Sequence, residues 1–217
     1  MHDIKNALRN VALFAELSDA ELQAMLQHAS VITYPKNTVI MSEGDPSASL
    51  YTIVAGKVKI FLSDEQGKEI TLNVQGAHDY FGELALVDDT ERSASVVTLE
   101  KSTFMILSKA AFKELLHTHP EVALNLIKAL TRRVRFLTDN VKTLGLLDVY
   151  GRVAKTLLGA ASHIDGRLII TDKLTQQDIA NRIGASREMV ARILKDLSAG
   201  NYISYEGKHI VINEKLK

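Results

Sequence analysis

The sequence predicts an α+β protein with a strand-rich β-roll at its N-terminus, one long central helix and a winged helix-turn-helix at its C-terminus. Three observations predict this architecture. Glycines punctuate short apolar runs over residues 31–107, apolar residues recur in heptads over residues 120–144, and two short helical patterns joined by a glycine precede two short strands over residues 174–212. We therefore expect domains at residues 1–119, 120–144 and 145–217 of the 217-residue chain.

The N-terminal domain begins with a helical pattern and continues as strands. Within residues 13–22, Ser18 is a good N-cap and Glu21 occupies the capping-box position three residues later. Strands are predicted at residues 38–41, 49–54, 58–62, 70–74, 95–99 and 104–107, and the glycines among them are Gly44, Gly56, Gly67, Gly76 and Gly82. Regular glycine spacing between short strands indicates a β-roll or barrel.

The central helix carries an apolar stripe with heptad spacing. The stripe consists of Ala123, Ile127, Leu130, Val134, Leu137, Val141 and Leu144. A monomer could bury such a stripe against its own β-roll, but three consecutive heptads with charged residues outside the stripe favour a parallel dimer. Gly145 is expected to end this helix at a hinge, and further helices are expected from about Val149.

The C-terminal domain contains a helix, a glycine turn and a second helix. Thr175 caps the first helix, Gly184 permits the turn, and Ser186 caps the second helix. The inward-facing residues are Ile179, Ala180 and Ile183 on the first helix and Val190, Ile193, Leu194 and Leu197 on the second. Arg187, Glu188 and Arg192 then project from the N-terminal half of the second helix, where a recognition helix meets base edges.

These exposed side chains have the chemistry of base recognition in the major groove. An arginine matches the O6 and N7 acceptors of guanine, and a glutamate accepts from the amino group of cytosine. The alternative is a solvated helix face with an internal ion pair. Two short strands over residues 201–212 follow, and Lys208 lies at their turn, where a phosphate would lie. Together the features favour a DNA-binding winged helix-turn-helix.

The composition excludes several other classes of protein. A content of 46% hydrophobic and 24% charged residues is ordinary for a folded domain, and the absence of cysteine excludes disulfides, thiolate zinc sites and cysteine-ligated iron–sulfur clusters. No apolar run is long enough to cross a membrane and no secretory pattern is present, so we expect a cytoplasmic protein. The net charge is zero overall but −3 over residues 1–144 and +3 over residues 145–217, which is the direction that DNA binding needs.

A second group of candidate binding residues lies between two predicted strands, in residues 80–96. Gly82 lets the backbone approach a ligand, and the N–H groups of Leu84 and Ala85 face an anion at the start of a helical turn. The Arg92 guanidinium can donate two hydrogen bonds to a phosphate, and the Glu83 carboxylate can accept a hydrogen bond from a ribose hydroxyl. The alternative is a structural ion pair between Glu83 and Arg92.

The segment from Tyr80 to Val96 resembles the phosphate-binding cassette of cyclic-nucleotide-binding domains, whose pattern is Phe-Gly-Glu-Leu-Ala-Leu followed by Arg-Ser/Thr-Ala. With the long helix and the winged helix-turn-helix, the chain resembles the CRP/FNR superfamily of bacterial transcription regulators over residues 13–212, and most closely its cyclic-AMP receptor branch. The resemblance implies a homodimeric, non-enzymatic transcription regulator, either an activator or a repressor. It also implies cyclic AMP as effector, no metal, and double-stranded DNA with TGTGA-type palindromes as target.

The resemblance also implies the residues of each site. Those for the cyclic nucleotide are Gly82, Glu83, Leu84, Ala85, Arg92, Ser93 and, from the opposite subunit, Thr138. Those for DNA are Gln177, Ser186, Arg187, Glu188, Met189, Arg192 and Lys208. Two positions depart from the family: Leu137 replaces a residue that hydrogen-bonds adenine, and Gln176 replaces an arginine that contacts phosphate.

Leu137 leaves the effector open among cyclic AMP, cyclic GMP, another nucleotide and none, so a constitutive or differently gated regulator is the alternative. Haem gating is a further variant, with His78, His117 or His119 as candidate ligands. A regulatory subunit of a kinase or channel is disfavoured by the helix-turn-helix, and no catalytic motif is present.

The segment 163–167 is expected to be a surface loop, placed where the family contacts RNA polymerase.

Overall fold

The computed structural model describes residues 2–46, 48–172 and 174–213. The chain divides into two compact units. The first contains Met1–Leu62 and Leu72–Val134, and the second contains Ser63–Thr71 and Arg135–Lys217. In the described ranges, no helix is both long enough and apolar enough to cross a membrane.

The N-terminal half consists of two small helices, a strand-rich region and two further helices. In order these elements are α1 (His2–Arg9), α2 (Asp19–Gln27), β1 (Ala29–Tyr34), β2 (Val39–Met41), β3 (Ser49–Ala55), β4 (Val58–Ser63), β5 (Glu69–Gln75), β6 (Tyr80–Phe81), α3 (Leu84–Val87), β7 (Ser95–Thr98), β8 (Ser102–Ser108), α4 (Lys109–Thr118) and α5 (Pro120–Leu146). The strands form two four-stranded sheets, in the orders β1-β8-β3-β6 and β2-β7-β4-β5. This arrangement confirms the predicted β-roll.

Two apolar clusters form the core of the first unit. One packs Leu13, Phe14 and Leu22 against Leu107 and Phe112, so α2, α4 and the segment before α2 cover one face of the roll. The other lies between the sheets, where the ring of Phe81 stacks on Tyr51 with centroids 5.2 Å apart and meets Phe104 edge-on. Since β6 ends at Phe81, this aromatic cluster anchors the chain where the predicted cassette begins.

The structure corrects several boundaries in this half. The capping box of Ser18 and Glu21 is confirmed, but α2 begins only at Asp19, and residues 13–16 form turns; Leu13, Phe14 and Leu17 are buried in the core. Strands β1 and β6 and helix α1 were not predicted. Strand β1 is stabilised by its antiparallel pairing with β8, about seventy positions away, which no local pattern reveals.

The long helix α5 extends two residues beyond the predicted end and includes Gly145. The chain changes direction only after Leu146, because Asp148 caps the next helix by accepting a hydrogen bond from the Gly151 amide at 2.8 Å. One face of α5 packs into the first unit through Val122 and Leu126. Most of the heptad stripe lies on another face and is exposed.

The C-terminal half contains three helices and one small sheet. In order these are α6 (Val149–Ala160), β9 (Ser162–Ile164), β10 (Arg167–Ile170), α7 (Gln176–Ile183), α8 (Arg187–Ala199), β11 (Ile203–Glu206) and β12 (His209–Ile212). The sheet is antiparallel in the order β11-β12-β10-β9, and the three helices pack on it around a single apolar cluster. The predicted winged helix-turn-helix is confirmed.

The loop predicted at residues 163–167 is instead a β-hairpin. Strands β9 and β10 pair across Asp165 and Gly166, whose φ angles are 50° and 78°. Two consecutive positive φ angles are the signature of a type I′ turn, and Asp-Gly is among its preferred sequences. Only Asp165 and Gly166 form the turn, so most of the segment expected to be a surface loop is paired as strands β9 and β10.

Candidate functional site

The first candidate site is a pocket built by the segment that leaves β6. Gly82 follows the buried Phe81 with a φ of +85°, and a Cβ added there would lie 2.7 Å from Arg92 Nη1 and 3.1 Å from the Ser49 carbonyl oxygen. Only glycine fits this conformation and this space. The pocket is partly open to solvent and is lined by residues 82–85 and 92–94 together with Arg133 and apolar residues of the roll.

The Glu83 carboxylate is almost completely buried in this pocket. Its exposed fraction is 3%, its Oε1 accepts from Arg133 Nη1 at 3.0 Å, and its Oε2 has no hydrogen-bond partner among the described residues. Burial raises the pKa of this carboxyl, and the nearby Arg133 guanidinium opposes that shift. A buried carboxylate oxygen without a donor is costly, so the site favours a ligand that supplies a hydroxyl or N–H group.

Arg133 is a site residue that the sequence analysis missed. Its place in the sequence indicates only a charge outside the heptad stripe, whereas in the structure it binds the Glu83 carboxylate from α5. It lies seven residues after the buried Leu126, and therefore on the face of α5 that packs into the first unit. That spacing was the available signal.

Arg92 is the second charged group of the pocket. It is 5% exposed, with Nη1 donating to the Gly82 carbonyl at 2.7 Å and Nη2 to the Ser49 carbonyl at 2.8 Å. Burial lowers its pKa from the ordinary arginine value. The alternative of an ion pair between Glu83 and Arg92 was wrong, because among the described residues Glu83 pairs with Arg133.

The remaining predicted ligand residues lie in different places. Leu84 and Ala85 are the first residues of α3 and line the pocket, as does the exposed Ser93. The structure thus brings together the six predicted residues of the first unit. Thr138 and Leu137 are exposed on α5 within the second unit.

The segment after α3 is held by a charged clamp. Asp89 has a φ of 59°, and its carboxylate accepts from Lys109 Nζ at 2.8 Å and Lys113 Nζ at 2.7 Å. Hydrogen bonds from these two lysines lower the pKa of Asp89 to about 2. Because both lysines lie on α4, the clamp fixes the exit of the cassette to that helix.

The second candidate site is the exposed face of the helix-turn-helix. Thr175 and Asp178 cap α7 reciprocally, with Thr175 N donating to Asp178 Oδ2 at 2.9 Å and Asp178 N to Thr175 Oγ1 at 3.1 Å. Gly184 follows in the left-handed conformation with a φ of 65°, and Ser186 caps α8. All seven predicted inward-facing residues are buried. The two caps and the turn therefore fix where α8 begins and how it is oriented relative to α7.

Arg187, Glu188 and Arg192 are exposed on the N-terminal half of α8. Arg192 Nη2 lies 2.8 Å from Met189 Sδ, and within the described ranges Glu188 forms no ion pair with either arginine. Gln177 donates from Nε2 to Asn181 Oδ1 at 2.7 Å on α7. Lys208 is exposed in the two-residue turn between β11 and β12, beside Gly207 with a φ of 62°.

Two of the histidines considered as candidate haem ligands contact protein groups outside both candidate sites. His78 Nδ1 contacts the Ala7 carbonyl at 3.1 Å, and His119 Nε2 contacts Glu21 Oε1 at 3.1 Å. In the part of the chain that the structure describes, no three side chains of His, Cys, Asp or Glu form a group that could hold a metal ion.

Comparison with known proteins gives two family matches and close relatives. Residues 31–119 match the cyclic nucleotide-binding domain and residues 151–216 match the Crp-like helix-turn-helix domain. The CRP-like cAMP-activated global transcriptional regulator of Mycobacterium tuberculosis is 33% identical over 211 residues, which cover 95% of this chain and 94% of the relative. The cAMP-activated global transcriptional regulator CRP of Salmonella typhimurium is 36% identical over 202 residues, covering 90% and 95%.

Solved structures show the same architecture. The c-di-GMP responsive global regulator CLP of Xanthomonas campestris has a TM-score of 0.77 at 26% identity and covers 91% of this chain and 100% of its own. The catabolite activator protein of Thermus thermophilus has a TM-score of 0.57 at 29% identity and covers 94% of each chain. Members of this family bind DNA, are typically dimeric and are not enzymes. The chain thus belongs to the CRP/FNR family of transcription regulators, with a cyclic-nucleotide-binding domain and a Crp-like helix-turn-helix.

Proposed function

We propose that this protein is a homodimeric bacterial transcription activator that binds cyclic AMP in the pocket of each β-roll and then binds DNA palindromes with TGTGA half-sites. One observation carries the ligand-binding part of this proposal. Glu83 Oε2 is buried in the pocket with no donor from the part of the chain that the structure describes, and a ribose 2′-hydroxyl would supply that donor. The relatives from M. tuberculosis and S. typhimurium are both named as cAMP-activated.

The rest of the pocket suits the cyclic phosphate of the same ligand. The Arg92 guanidinium would turn from backbone carbonyls to the phosphate oxygens, exchanging neutral acceptors for a charged one. The backbone N–H groups of Leu84 and Ala85 at the start of α3, with Ser93 opposite, would complete the contacts. Arg133 would keep Glu83 in place through Oε1 while Oε2 accepts the ribose.

The homodimer is supported by the exposed stripe on α5. Ile127, Val134 and Val141 are 59%, 62% and 67% exposed, and they share one heptad position. A helix of 27 residues is about 40 Å long at about 1.5 Å per residue. That length is comparable with the roughly 34 Å between half-sites one helical turn apart.

DNA recognition is assigned to the exposed face of α8 and to the wing. Arg187 and Arg192 would contact guanines, and Glu188 would accept from cytosine. Gln177, Ser186 and Lys208 would contact phosphates and so set the register of α8 without specifying sequence. We retain residues 1–119 for ligand binding, 120–144 for dimerisation and 145–217 for DNA binding, in the cytoplasm.

Gating is proposed to shift a population between two dimer states. To change the ratio of DNA-competent to DNA-incompetent dimers from 1:99 to 99:1, the ligand must prefer the competent state by about 5.5 kcal/mol. Two bound nucleotides would share this free energy. Thr138 is proposed to contact the nucleotide of the opposite subunit. The hairpin of β9 and β10 is proposed as the contact for RNA polymerase.

The second candidate function is a regulator of the same kind with a different effector or none. Leu137 favours this alternative, because a leucine cannot hydrogen-bond an adenine amino group, and the loss of such a bond reduces discrimination between bases. The structural relative from X. campestris is described as responsive to c-di-GMP. The effector therefore depends on the pocket's hydrogen bonds, which can be measured directly.

Calorimetric binding of cyclic AMP and 2′-deoxy cyclic AMP to wild type and Glu83→Ala tests the pocket. Because a hydrogen bond to a charged group contributes about 1.5–3 kcal/mol, we expect wild type to prefer cyclic AMP by at least tenfold. Glu83→Ala should bind both ligands weakly and alike. Equal binding of the two ligands by wild type would contradict the role of Glu83, and failure of wild type to bind cyclic AMP would favour the second candidate.

A further inference from the structure

Met189 occupies the third position of α8, directly after Arg187 and Glu188. Its backbone amide donates to the capping Ser186 Oγ at 3.2 Å, so its place in the first turn is fixed. Its side chain is half-buried and packs partly against the apolar cluster of the second unit. The sulfur nonetheless lies 2.8 Å from Arg192 Nη2 on the exposed face. The side chain therefore extends from the core to the surface proposed to meet base edges.

The contact between Met189 and Arg192 constrains the arginine. Residues three apart on a helix are neighbours on one face, and a thioether sulfur is a weak acceptor. The sulfur accepts from one N–H of Nη2, which leaves the second N–H of Nη2 and a neighbouring N–H as a two-donor edge for another partner. Bidentate recognition of guanine needs two donors held in a fixed direction. Met189 is therefore placed to orient Arg192.

Met189 itself has no hydrogen-bond donor for a base or a phosphate. Its side chain ends in a methyl group bonded to the sulfur that contacts Arg192, one of the proposed base-contacting side chains. On the major-groove edges of the four base pairs, the apolar group is the C5-methyl of thymine. A TGTGA half-site offers that methyl beside its guanines, at two thymines on one strand and at the thymine opposite the final adenine on the other.

We propose that Met189 is a specificity-determining residue that contacts the C5-methyl of one thymine beside the guanine bound by Arg192, and that it positions the Arg192 guanidinium for that guanine. This inference rests on the proposed recognition of TGTGA half-sites and extends it to the thymines. It assigns recognition of thymine to an apolar contact in addition to the hydrogen bonds of the neighbouring G·C pairs.

The test replaces thymine by deoxyuridine, which removes only the C5-methyl. Each of the three thymine positions is replaced in both half-sites of a TGTGA palindrome, and binding is measured by fluorescence anisotropy at fixed salt with saturating cyclic AMP. A buried methyl group corresponds to about fourfold in affinity, so we expect one position to weaken wild-type binding by about sixteenfold for the two half-sites.

Two variants assign the effect to Met189. Met189→Leu keeps an apolar side chain of similar size and should keep the sensitivity to uracil. Met189→Ala removes the contact and should bind the thymine and uracil duplexes alike, and both residues are good helix formers. A wild-type protein that is insensitive to uracil at every position would overturn the proposal without any variant. So would an undiminished sensitivity in Met189→Ala.

The outcome also separates this proposal from the one on which it rests. Binding of wild type to the TGTGA palindrome is first compared with binding to a duplex whose half-sites are scrambled. Equal binding of these two duplexes would overturn the proposed DNA target, and the role of Met189 with it. A preference for TGTGA combined with insensitivity to uracil would overturn only the role of Met189.

Discussion

At the scale of single residues, the pocket is arranged around two buried charges with different partners. Glu83 is held by Arg133 and, within residues 2–46, 48–172 and 174–213, has no donor to its second carboxylate oxygen, while Arg92 donates to two backbone carbonyls. Each group therefore has a protein partner that keeps it in place. Each also has hydrogen-bonding capacity that a ligand would use. The Arg133 contact also explains why a carboxylate with 3% exposure is tolerated at all.

The Asp89 clamp predicts a pH dependence of stability. Its pKa falls from 3.8 to about 2 in the folded protein, so the clamp stabilises the fold above about pH 4 and loses this effect as pH falls toward 2. Asp89→Asn should therefore lower the melting temperature at pH 7 and differ progressively less from wild type below pH 4. Thermal unfolding followed by circular dichroism measures both.

Asp88→Asn is the matched control for this prediction, because Asp88 accepts from Thr90 rather than from the lysines of α4. It removes the same formal charge from the neighbouring position. A difference between Asp89→Asn and wild type that stays constant from pH 7 to pH 2.5 would contradict the assigned role of the clamp.

At the scale of elements, helix α5 has two apolar faces with different environments. Val122 and Leu126 are buried in the first unit, and Arg133 continues that face into the ligand pocket. The heptad stripe through Ile127, Val134 and Val141 lies exposed on the other face. A helix whose second apolar face is uncovered in the single chain is typical of a dimer interface. Arg133 of the pocket and the proposed dimer stripe therefore both belong to α5.

Val141→Asp tests this assignment. A charge placed on the stripe would be buried without a partner in the dimer, so we expect the dimer dissociation constant to rise about a hundredfold. Leu146→Asp makes the same chemical change at a position that is 73% exposed and outside the stripe, and it should leave the dimer intact. Sedimentation velocity distinguishes the two states. Equal effects of both variants, or a monomeric wild type, would contradict a dimer formed by α5.

At the scale of the whole molecule, features set by neighbouring residues were predictable and those set by distant partners were not. The caps Ser18, Thr175 and Ser186 and the turn at Gly184 followed from local sequence. Strand β1 and the partner of Glu83 did not, since β1 pairs with β8 and Arg133 lies fifty positions after Glu83. The hairpin at Asp165 shows a local signal that was present but not used.

Nucleotide binding in the β-roll is proposed to control DNA binding by the helix-turn-helix, and DNA affinities with and without nucleotide test this control. Affinity for a TGTGA palindrome is measured by fluorescence anisotropy at fixed salt with no nucleotide, with cyclic AMP and with cyclic GMP, beside a duplex with scrambled half-sites. We expect cyclic AMP alone to strengthen binding to the palindrome, by a hundredfold or about 2.7 kcal/mol if the two states are strongly biased. Tight binding that does not change with nucleotide would contradict the claim.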